Sequence, residues 1–133
     1  MSNNKRVALY CRVAREDDTA MEGQARMIQN FAEEQGYINT VLYSDNGVSG
    51  IGLNRPAFGC LSADILAGQI KTVIVKDLSR ISRNPLELAG WFNGIQRCGV
   101  SCVSVQEGVM DDAFSKKDEL FQIYSEYLKK IKQ

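Results

Sequence analysis

Arginine is the residue type whose spacing in this 133-residue sequence most clearly indicates chemistry. A guanidinium group donates two parallel hydrogen bonds and keeps its charge at any physiological pH, which suits the binding of phosphate. Basic residues follow three apolar runs at short distances, namely Arg12 and Arg15, then Arg55, then Lys76, Arg80 and Arg83. Arginines that converge on one phosphodiester can hold it and stabilise the charge of its transition state.

A second interpretation of these arginines stays open at this point. They can be solvated surface residues, some of them paired with Asp17, Asp45 or Asp77. The spacing Arg80-x-x-Arg83 favours a shared ligand, because residues three apart in the turn entering a helix can face the same side. The sequence has no GxxxxGK[ST] loop and no GxGxxG motif after a strand, so the common phosphate-binding loops are excluded.

Composition narrows the chemistry further. The sequence contains no histidine, the commonest general base, and its four cysteines form no CxxC pair. We therefore expect no zinc site, no disulfide and no other cofactor. The formal net charge of zero argues against tight autonomous binding of DNA, although a local basic cluster is compatible with it. We expect no membrane span and no signal peptide, and hence a cytoplasmic location.

The elements that must position these residues alternate along the chain. Four apolar, β-branched-rich runs predict strands over residues 6–11, 40–44, 72–76 and 100–105, with a helical pattern in each of the three intervals. This alternation predicts an α/β domain with a central, mostly parallel sheet of four to five strands and helices on both faces. In such a sheet ligands bind outside the carboxyl ends of the strands, where the loops with the arginines lie.

Capping signals set the predicted helix bounds. The first helix is expected to begin at Thr19, which has Glu22 at capping-box spacing. Pro56 predicts the start of the second helix and Asn84-Pro85 that of the third, while Gly36, Gly68 and Gly99 predict the three ends. Residues 107–114 are expected to form a loop with a short edge strand. A last helix is expected over residues 115–132, whose apolar stripe covers either the domain's own core or a second subunit.

Four motifs resemble one known family. They are Tyr-Cys-Arg-Val at 10–13, Asp-Asn-Gly-Val-Ser-Gly at 45–50, Asn-Arg-Pro-Ala-Phe at 54–58 and Val-Lys-Asp-Leu-Ser-Arg-Ile-Ser-Arg-Asn at 75–84. Their order and spacing over about residues 5–110 resemble the catalytic domain of serine site-specific recombinases, the resolvase/invertase family. Large recombinases of mobile elements offer the best match. The resemblance implies a three-layer resolvase-like catalytic domain over residues 1–113, followed by a dimerisation helix over residues 114–133.

The resemblance also implies a chemistry. In that family a serine attacks the DNA phosphodiester, and a tetramer exchanges and rejoins the strands without metal or energy cofactor. Arginines surround the scissile phosphate, and a glutamine lies near it. By motif position the implied site residues here are Arg12, Arg55, Arg80, Arg83 and Gln24. DNA is the implied partner, and the implied assembly is a homodimer or homotetramer that acts in DNA recombination and integration.

The sequence departs from the family pattern at the nucleophile. Ala14 occupies the serine position, and a shift by one residue places Arg15 there; neither can attack phosphorus. Thr19 is the nearest hydroxyl, but it is the expected helix cap. Loss of a nucleophile from a preorganised site lowers the rate about 10⁶-fold, so we expect no covalent link to DNA. An engineered serine-to-alanine change and a natural degenerate relative both fit.

A second departure is that the DNA-binding domain found in family members does not follow within this sequence. Three functions stay open. The first is a serine recombinase catalytic domain, inactive without its serine. The second is a non-catalytic recombinase-like protein that binds DNA or assembles with an active relative. The third is a flavodoxin-like domain that binds a small phosphorylated ligand in the glycine-rich loop of residues 47–52.

Overall fold

The structure is a computed structural model, and it describes residues 5–47 and 55–109. Five strands and three helices alternate along these residues. The strands are β1 (Arg6–Val13), β2 (Thr40–Asn46), β3 (Ile70–Val75), β4 (Ser101–Ser104) and β5 (Gly108–Val109). The helices are α1 (Asp18–Glu34), α2 (Pro56–Leu66) and α3 (Pro85–Arg97), and a single 3-10 turn, Leu78–Arg80, follows β3.

The strands form one sheet in the order β2-β1-β3-β4-β5. The first four strands are parallel, and β5 pairs antiparallel with β4. The predicted α/β architecture with a mostly parallel sheet is therefore confirmed, including the short edge strand after residue 107. The strand order reverses direction between β1 and β3, and in open α/β sheets this switch point is where a ligand crevice forms.

Two apolar layers fix the helices on opposite faces of the sheet. Helix α1 buries Ala25, Ile28 and Ala32 against one face. Helices α2 and α3 cover the other face, with buried side chains that include Leu61 and Leu88. Successive residues of a strand point to opposite faces, so the central strands, covered on both sides, are almost continuously apolar. No helix within the described ranges is long and apolar enough to cross a membrane.

The bounds of all four predicted strands differ from the observed ones by one or two residues, and two wrong boundaries lie at the end of the sheet where the arginines lie. Strand β1 continues to Val13, so Arg12 belongs to the strand and not to the loop after it. Helix α1 is capped by Asp17, whose carboxylate accepts the Ala20 N–H at 3.0 Å, and Thr19 already lies within the helix. Asp17 competes successfully for this role because a carboxylate caps a helix N-terminus better than a threonine hydroxyl.

The remaining sequence predictions for helices α2 and α3 hold. Pro56 occupies the first turn of α2, and Asn84 caps α3 by accepting the N–H groups of Leu86 and Glu87. The predicted last helix over residues 115–132, and most of the glycine-rich loop after Gly47, lie outside the described residues.

Candidate functional site

Arg12 lies at the carboxyl end of β1, beside the switch point of the sheet, and is 1% exposed. Its guanidinium does not point into solvent. Nε donates to the Arg80 carbonyl oxygen at 3.1 Å, and Nη2 donates to the Ser79 carbonyl oxygen at 2.7 Å. The Arg12 side chain therefore holds the 3-10 turn that follows β3, since backbone carbonyls at such a turn need donors.

Arg55 reaches the same turn from another loop. It occupies the N-cap position of α2 and is 7% exposed. Its Nη1 donates to the Ile81 carbonyl oxygen at 2.6 Å, and its Nη2 donates to the Arg80 carbonyl oxygen at 2.7 Å. The guanidinium carbon lies 4.1 Å from the centre of the Phe58 ring, a cation–π distance. Arg12 and Arg55 therefore converge on one carbonyl oxygen, that of Arg80.

Tyr10 and Asp45 hold Arg55 through a chain of hydrogen bonds. The Tyr10 hydroxyl accepts from Arg55 Nη2 at 3.0 Å and donates to Asp45 Oδ2 at 2.7 Å. Asp45 also accepts the N–H groups of Ala57 and Phe58 at 2.9 and 3.0 Å, so it caps α2 from the end of β2. A carboxylate at a helix N-terminus satisfies free N–H groups and complements the helix dipole. Asp45 thereby fixes the helix end that carries Arg55.

Arg80 and Arg83 are the arginines nearer to solvent. The Arg80 side chain is 20% exposed, its Nη1 donates to the Arg12 carbonyl oxygen at 3.0 Å, and its Nη2 lies 3.4 Å from Asp77 Oδ2. Asp77 also caps the 3-10 turn by accepting the Ser79 N–H at 3.1 Å. Arg83 is exposed at the entrance to α3. Of the predicted aspartate partners, Asp77 pairs with an arginine, whereas Asp45 and Asp17 cap helices.

Gln24 closes the end of β1 on the side of α1. The β1–β3 pairing ends at Tyr10↔Val75, so the backbone of Arg12 lies beyond that ladder. The Gln24 side-chain amide takes the place of a strand partner on this side. Its oxygen accepts the Arg12 N–H at 3.0 Å, and its nitrogen donates to the Arg12 carbonyl oxygen at 3.2 Å. The family resemblance places this glutamine near the site, and its contacts give it a defined structural function there.

A cavity of about 440 Å³ opens beside Gln24 on the α1 side of the switch point. Two basic side chains and one amide contribute to a lining that is otherwise small or apolar. The lining residues are Val13, Ala20, Gly23, Gln24, Met27, Lys76 and Arg80. Ala14, the predicted nucleophile position, is exposed directly after Val13, and so is Arg15. The rim of the cavity therefore adjoins position 14, with a methyl group at that position in place of a hydroxyl.

The electrostatics of the cluster favour an anion. Burial lowers the pKa of Arg12 below its ordinary value, and the positive charges of Arg55, Arg80 and Arg83 lower it further. These four arginines are thus within electrostatic range of one another. In addition, the buried Nε of Arg55 and of Arg80 has no hydrogen-bond partner in the described part of the chain. Unused donors among clustered cations are a feature of sites that accept an anionic oxygen.

Burial raises the pKa of three titratable groups near the arginines. Burial, and then the hydrogen bond to Asp45, raise the pKa of Tyr10 well above its usual range. Burial raises the pKa of Cys11 to about 12, so its thiol is not an available nucleophile. Glu107, after β4, accepts the Leu78 N–H at 3.3 Å and also bonds to Ser104. Burial raises the pKa of Glu107 as well.

Sequence reasoning passed over the residues that support the arginines. Tyr10 carries a hydroxyl within an apolar strand, and this polar atom in a buried run was the available signal. Asp45 caps a helix that begins eleven residues later, and Glu107 contacts a turn at Leu78, so neither has a local sequence signature. Position by position, the structure brings together Arg12, Arg55, Arg80 and Gln24. Their contact with a phosphate stays a prediction.

Comparisons with known proteins extend over nearly the whole chain. A family model described as the resolvase N-terminal domain matches residues 7–129. The N-terminal catalytic domain of TP901-1 integrase is similar in structure with a TM-score of 0.78, 24% identity and coverage of 97% of this chain and 100% of that chain. A resolvase family site-specific recombinase from Streptococcus pneumoniae gives a TM-score of 0.72 at 26% identity, covering 96% and 88%.

More distant likenesses preserve the same fold. A serine recombinase from Sulfolobus solfataricus has a TM-score of 0.60 at 17% identity, with 97% of this chain and 99% of that chain covered. A search of the curated proteins found no significant match. The predicted resolvase-like fold is therefore confirmed.

Proposed function

Because the chain belongs to the family of resolvase N-terminal domains, we propose that it binds a DNA backbone phosphate where β1 and β3 end. Membership makes it a serine recombinase domain, and DNA is the substrate of that family's chemistry. The observation that carries the phosphate site is the convergence of Arg12 and Arg55 on the turn that contains Arg80, whose own side chain donates back to the Arg12 carbonyl oxygen. Four mutually close cations at a sheet switch point form a site that an anion stabilises.

We further propose a division of labour among the four arginines. Arg12 and Arg55 are almost fully buried and donate hydrogen bonds to backbone carbonyls, so they hold the turn. Arg80 lines the cavity and Arg83 is exposed, so these two reach a phosphate first. The Nε–H of Arg80 is buried and has no hydrogen-bond partner among the described residues, so a shift of the side chain would make this donor available to a phosphate oxygen.

The same reasoning predicts that the chain does not cut DNA. Ala14 stands at the position that the family uses for its serine, and the buried Cys11 thiol is protonated. Without a nucleophile the arginines can bind a phosphodiester but cannot transfer it to the protein, a loss of about 10⁶-fold in rate. Restoring a serine at position 14 is therefore the direct test.

The test incubates the chain and its Ala14→Ser variant with nicked duplexes whose central sequence is randomised. The nick lets a cleaved strand diffuse away, so a phosphoserine adduct accumulates and survives denaturing electrophoresis. We expect an adduct with Ala14→Ser only. Ala20→Ser is the matched control, because it adds a hydroxyl to the lining of the same cavity at another position. An adduct with the unaltered chain, or none with Ala14→Ser, contradicts the proposed chemistry.

A second candidate is a non-catalytic recombinase-like protein that binds DNA weakly or assembles with an active relative. The inward direction of Arg12 and Arg55 favours it, because both guanidiniums already have backbone partners. Under this alternative Ala14→Ser forms no adduct, yet DNA binding persists and weakens steeply with salt. Binding of a fluorescent duplex at 50 and 200 mM salt, measured beside the adduct assay, separates the two candidates.

Two finer proposals accompany the main one, and one alternative stays open. The family implies oligomeric assembly in general, and we propose a homodimer or homotetramer, which sedimentation equilibrium can test. We propose that the protein acts in the cytoplasm, where its DNA substrate lies. The flavodoxin-like alternative shares the strand order seen here, but β5 pairs antiparallel with β4, whereas a flavodoxin-like sheet is parallel. The family match favours the recombinase, and most of the loop that would bind a small phosphorylated ligand lies outside the described residues.

A further inference from the structure

The side chain of Asn46 joins the end of β2 to the start of α1. Its Oδ1 accepts the Asp17 N–H at 2.9 Å, and its Nδ2 donates to Asp18 Oδ1 at 2.9 Å. A single planar amide thus uses both its acceptor and its donor on adjacent residues. Asp17 is also the N-cap of α1, so Asn46 holds the point at which that helix begins.

Gly47 closes the other side of the same contact. Its N–H donates to the Val13 carbonyl oxygen at 2.9 Å, and its φ of +82° is one that L-residues with a side chain rarely adopt. A Cβ at this position would lie 3.2 Å from the backbone nitrogen of Glu16. The backbone of Gly47 therefore packs directly on the loop between β1 and α1.

These contacts anchor residues 14–16 at both ends. Val13 is held by Gly47 and Asp17 is held by Asn46, so only three residues lie between the two anchors. On the opposite side of β1, Arg80 Nη1 bonds to the carbonyl oxygen of Arg12, two residues before Ala14. Position 14 is thereby set at a constrained place relative to the guanidinium of Arg80.

We propose that Asn46 is a positioning residue, which with Gly47 fixes the 14–16 loop so that a nucleophile at position 14 faces the phosphate held by Arg80. The inference rests on the proposed function, because position 14 matters chemically only in a recombinase. It assigns a function to Asn46 and Gly47, the two residues that follow Asp45 in the motif at 45–50. Asp45 of the same motif caps α2, whereas Asn46 and Gly47 act on the loop before α1.

The first test is independent of catalysis. Amide hydrogen exchange is measured for Asp17 in the unaltered chain, in Asn46→Ala and in Asn93→Ala, an exposed asparagine of α3 that serves as the matched control. We expect Asp17 exchange to accelerate at least tenfold in Asn46→Ala and to stay unchanged in Asn93→Ala. Equal exchange in all three proteins overturns the anchoring.

The second test measures positioning in the Ala14→Ser background. We expect Asn46→Ala to lower the rate of adduct formation about a hundredfold, the effect of a misplacement near 1 Å. Asn46→Asp sets a carboxylate against Asp18, with Glu16 and Asp17 adding negative charge nearby. Its adduct rate is low at pH 8, and it recovers towards pH 5.5 because one shared proton restores the hydrogen bond.

Asn93→Asp makes the same change in charge and is expected to follow the pH profile of Ala14→Ser alone. If the two aspartate variants have matching pH profiles, the hydrogen bond between positions 46 and 18 does not control the adduct rate, and the inference is overturned. If Ala14→Ser itself forms no adduct, the proposed function fails. The exchange measurement still decides whether Asn46 anchors the loop.

Discussion

The buried hydroxyl of Tyr10 offers a quantitative test of how the arginine cluster is held. Tyr10 is 0% exposed, and its hydroxyl bonds to Asp45 Oδ2 at 2.7 Å and to Arg55 Nη2 at 3.0 Å. Tyr10→Phe removes both bonds and keeps the ring. Hydrogen bonds to charged groups contribute about 1.5–3 kcal/mol each. The partners retain other bonds here, to Phe58 N–H and to the Arg80 carbonyl, so neither becomes unsatisfied.

We therefore expect Tyr10→Phe to lower the free energy of unfolding by about 2 kcal/mol, less than the sum of roughly 3–6 kcal/mol for two such bonds because both partners keep other hydrogen bonds. This corresponds to a fall in Tm of roughly 6–10 °C for a domain of this size. Urea unfolding monitored by circular dichroism measures it, and an unchanged m-value shows that the two-state comparison is sound.

Tyr37→Phe is the matched control, because the half-buried Tyr37 packs against the core on the α1 side. Its hydroxyl has no hydrogen-bond partner among the described residues. Because Tyr37→Phe removes a hydroxyl that makes no such bond, we expect it to change the free energy of unfolding by less than about 0.5 kcal/mol. If the two variants are equally stable, the Tyr10–Asp45–Arg55 contacts do not support the cluster and the reasoning is wrong.

Three further predictions concern the same domain. Leu88→Ala truncates a side chain that is 0% exposed, and we expect it to lower the free energy of unfolding in urea by about 3 kcal/mol. Leu86→Ala, on the same helix at 82% exposure, should change that free energy by less than about 0.5 kcal/mol, and equal losses would contradict the assigned core. Gln24→Met leaves the buried Arg12 N–H without its acceptor, and we expect it to lower the free energy of unfolding by about 2 kcal/mol in the same assay. A loss below about 0.5 kcal/mol would show that this hydrogen bond is not needed. Burial raises the pKa of Glu107, so the folded state binds this proton more tightly than the unfolded state does. Stability therefore falls as pH rises above the ordinary glutamate pKa, and Glu107→Gln should flatten that part of the curve of stability against pH. Parallel curves for the two proteins would refute this assignment.

Much of the fold could be predicted because it is encoded in local signals. Apolar runs separated by amphipathic segments predict the parallel sheet and its two helical layers. Pro56 and Asn84 mark the starts of α2 and α3, since proline suits a first helical turn and asparagine caps one. The start of α1 was missed because two capping candidates lie within three residues, and only the backbone conformation at Asp17 selects between them.

That arginines gather at one edge of the sheet could also be predicted from the sequence. The carboxyl ends of parallel strands all lie at one edge of the sheet, so arginines that follow β1 and β3 are expected at the same edge whatever the strand order. The sequence likewise shows alanine at position 14, and this determines by chemistry alone that no oxygen nucleophile is present there.

Only the tertiary structure decided what the guanidiniums do. Arg12 contacts the carbonyls of a turn 67 and 68 residues away, and Arg55 contacts one 26 residues away. Such contacts depend on where β1 ends and on how the turn after β3 presents its carbonyl oxygens, and neither is written in local sequence. The sequence therefore predicted that four arginines gather at one phosphate site. The tertiary structure shows that two of them, Arg12 and Arg55, donate to backbone carbonyls of the turn, because buried backbone acceptors need donors.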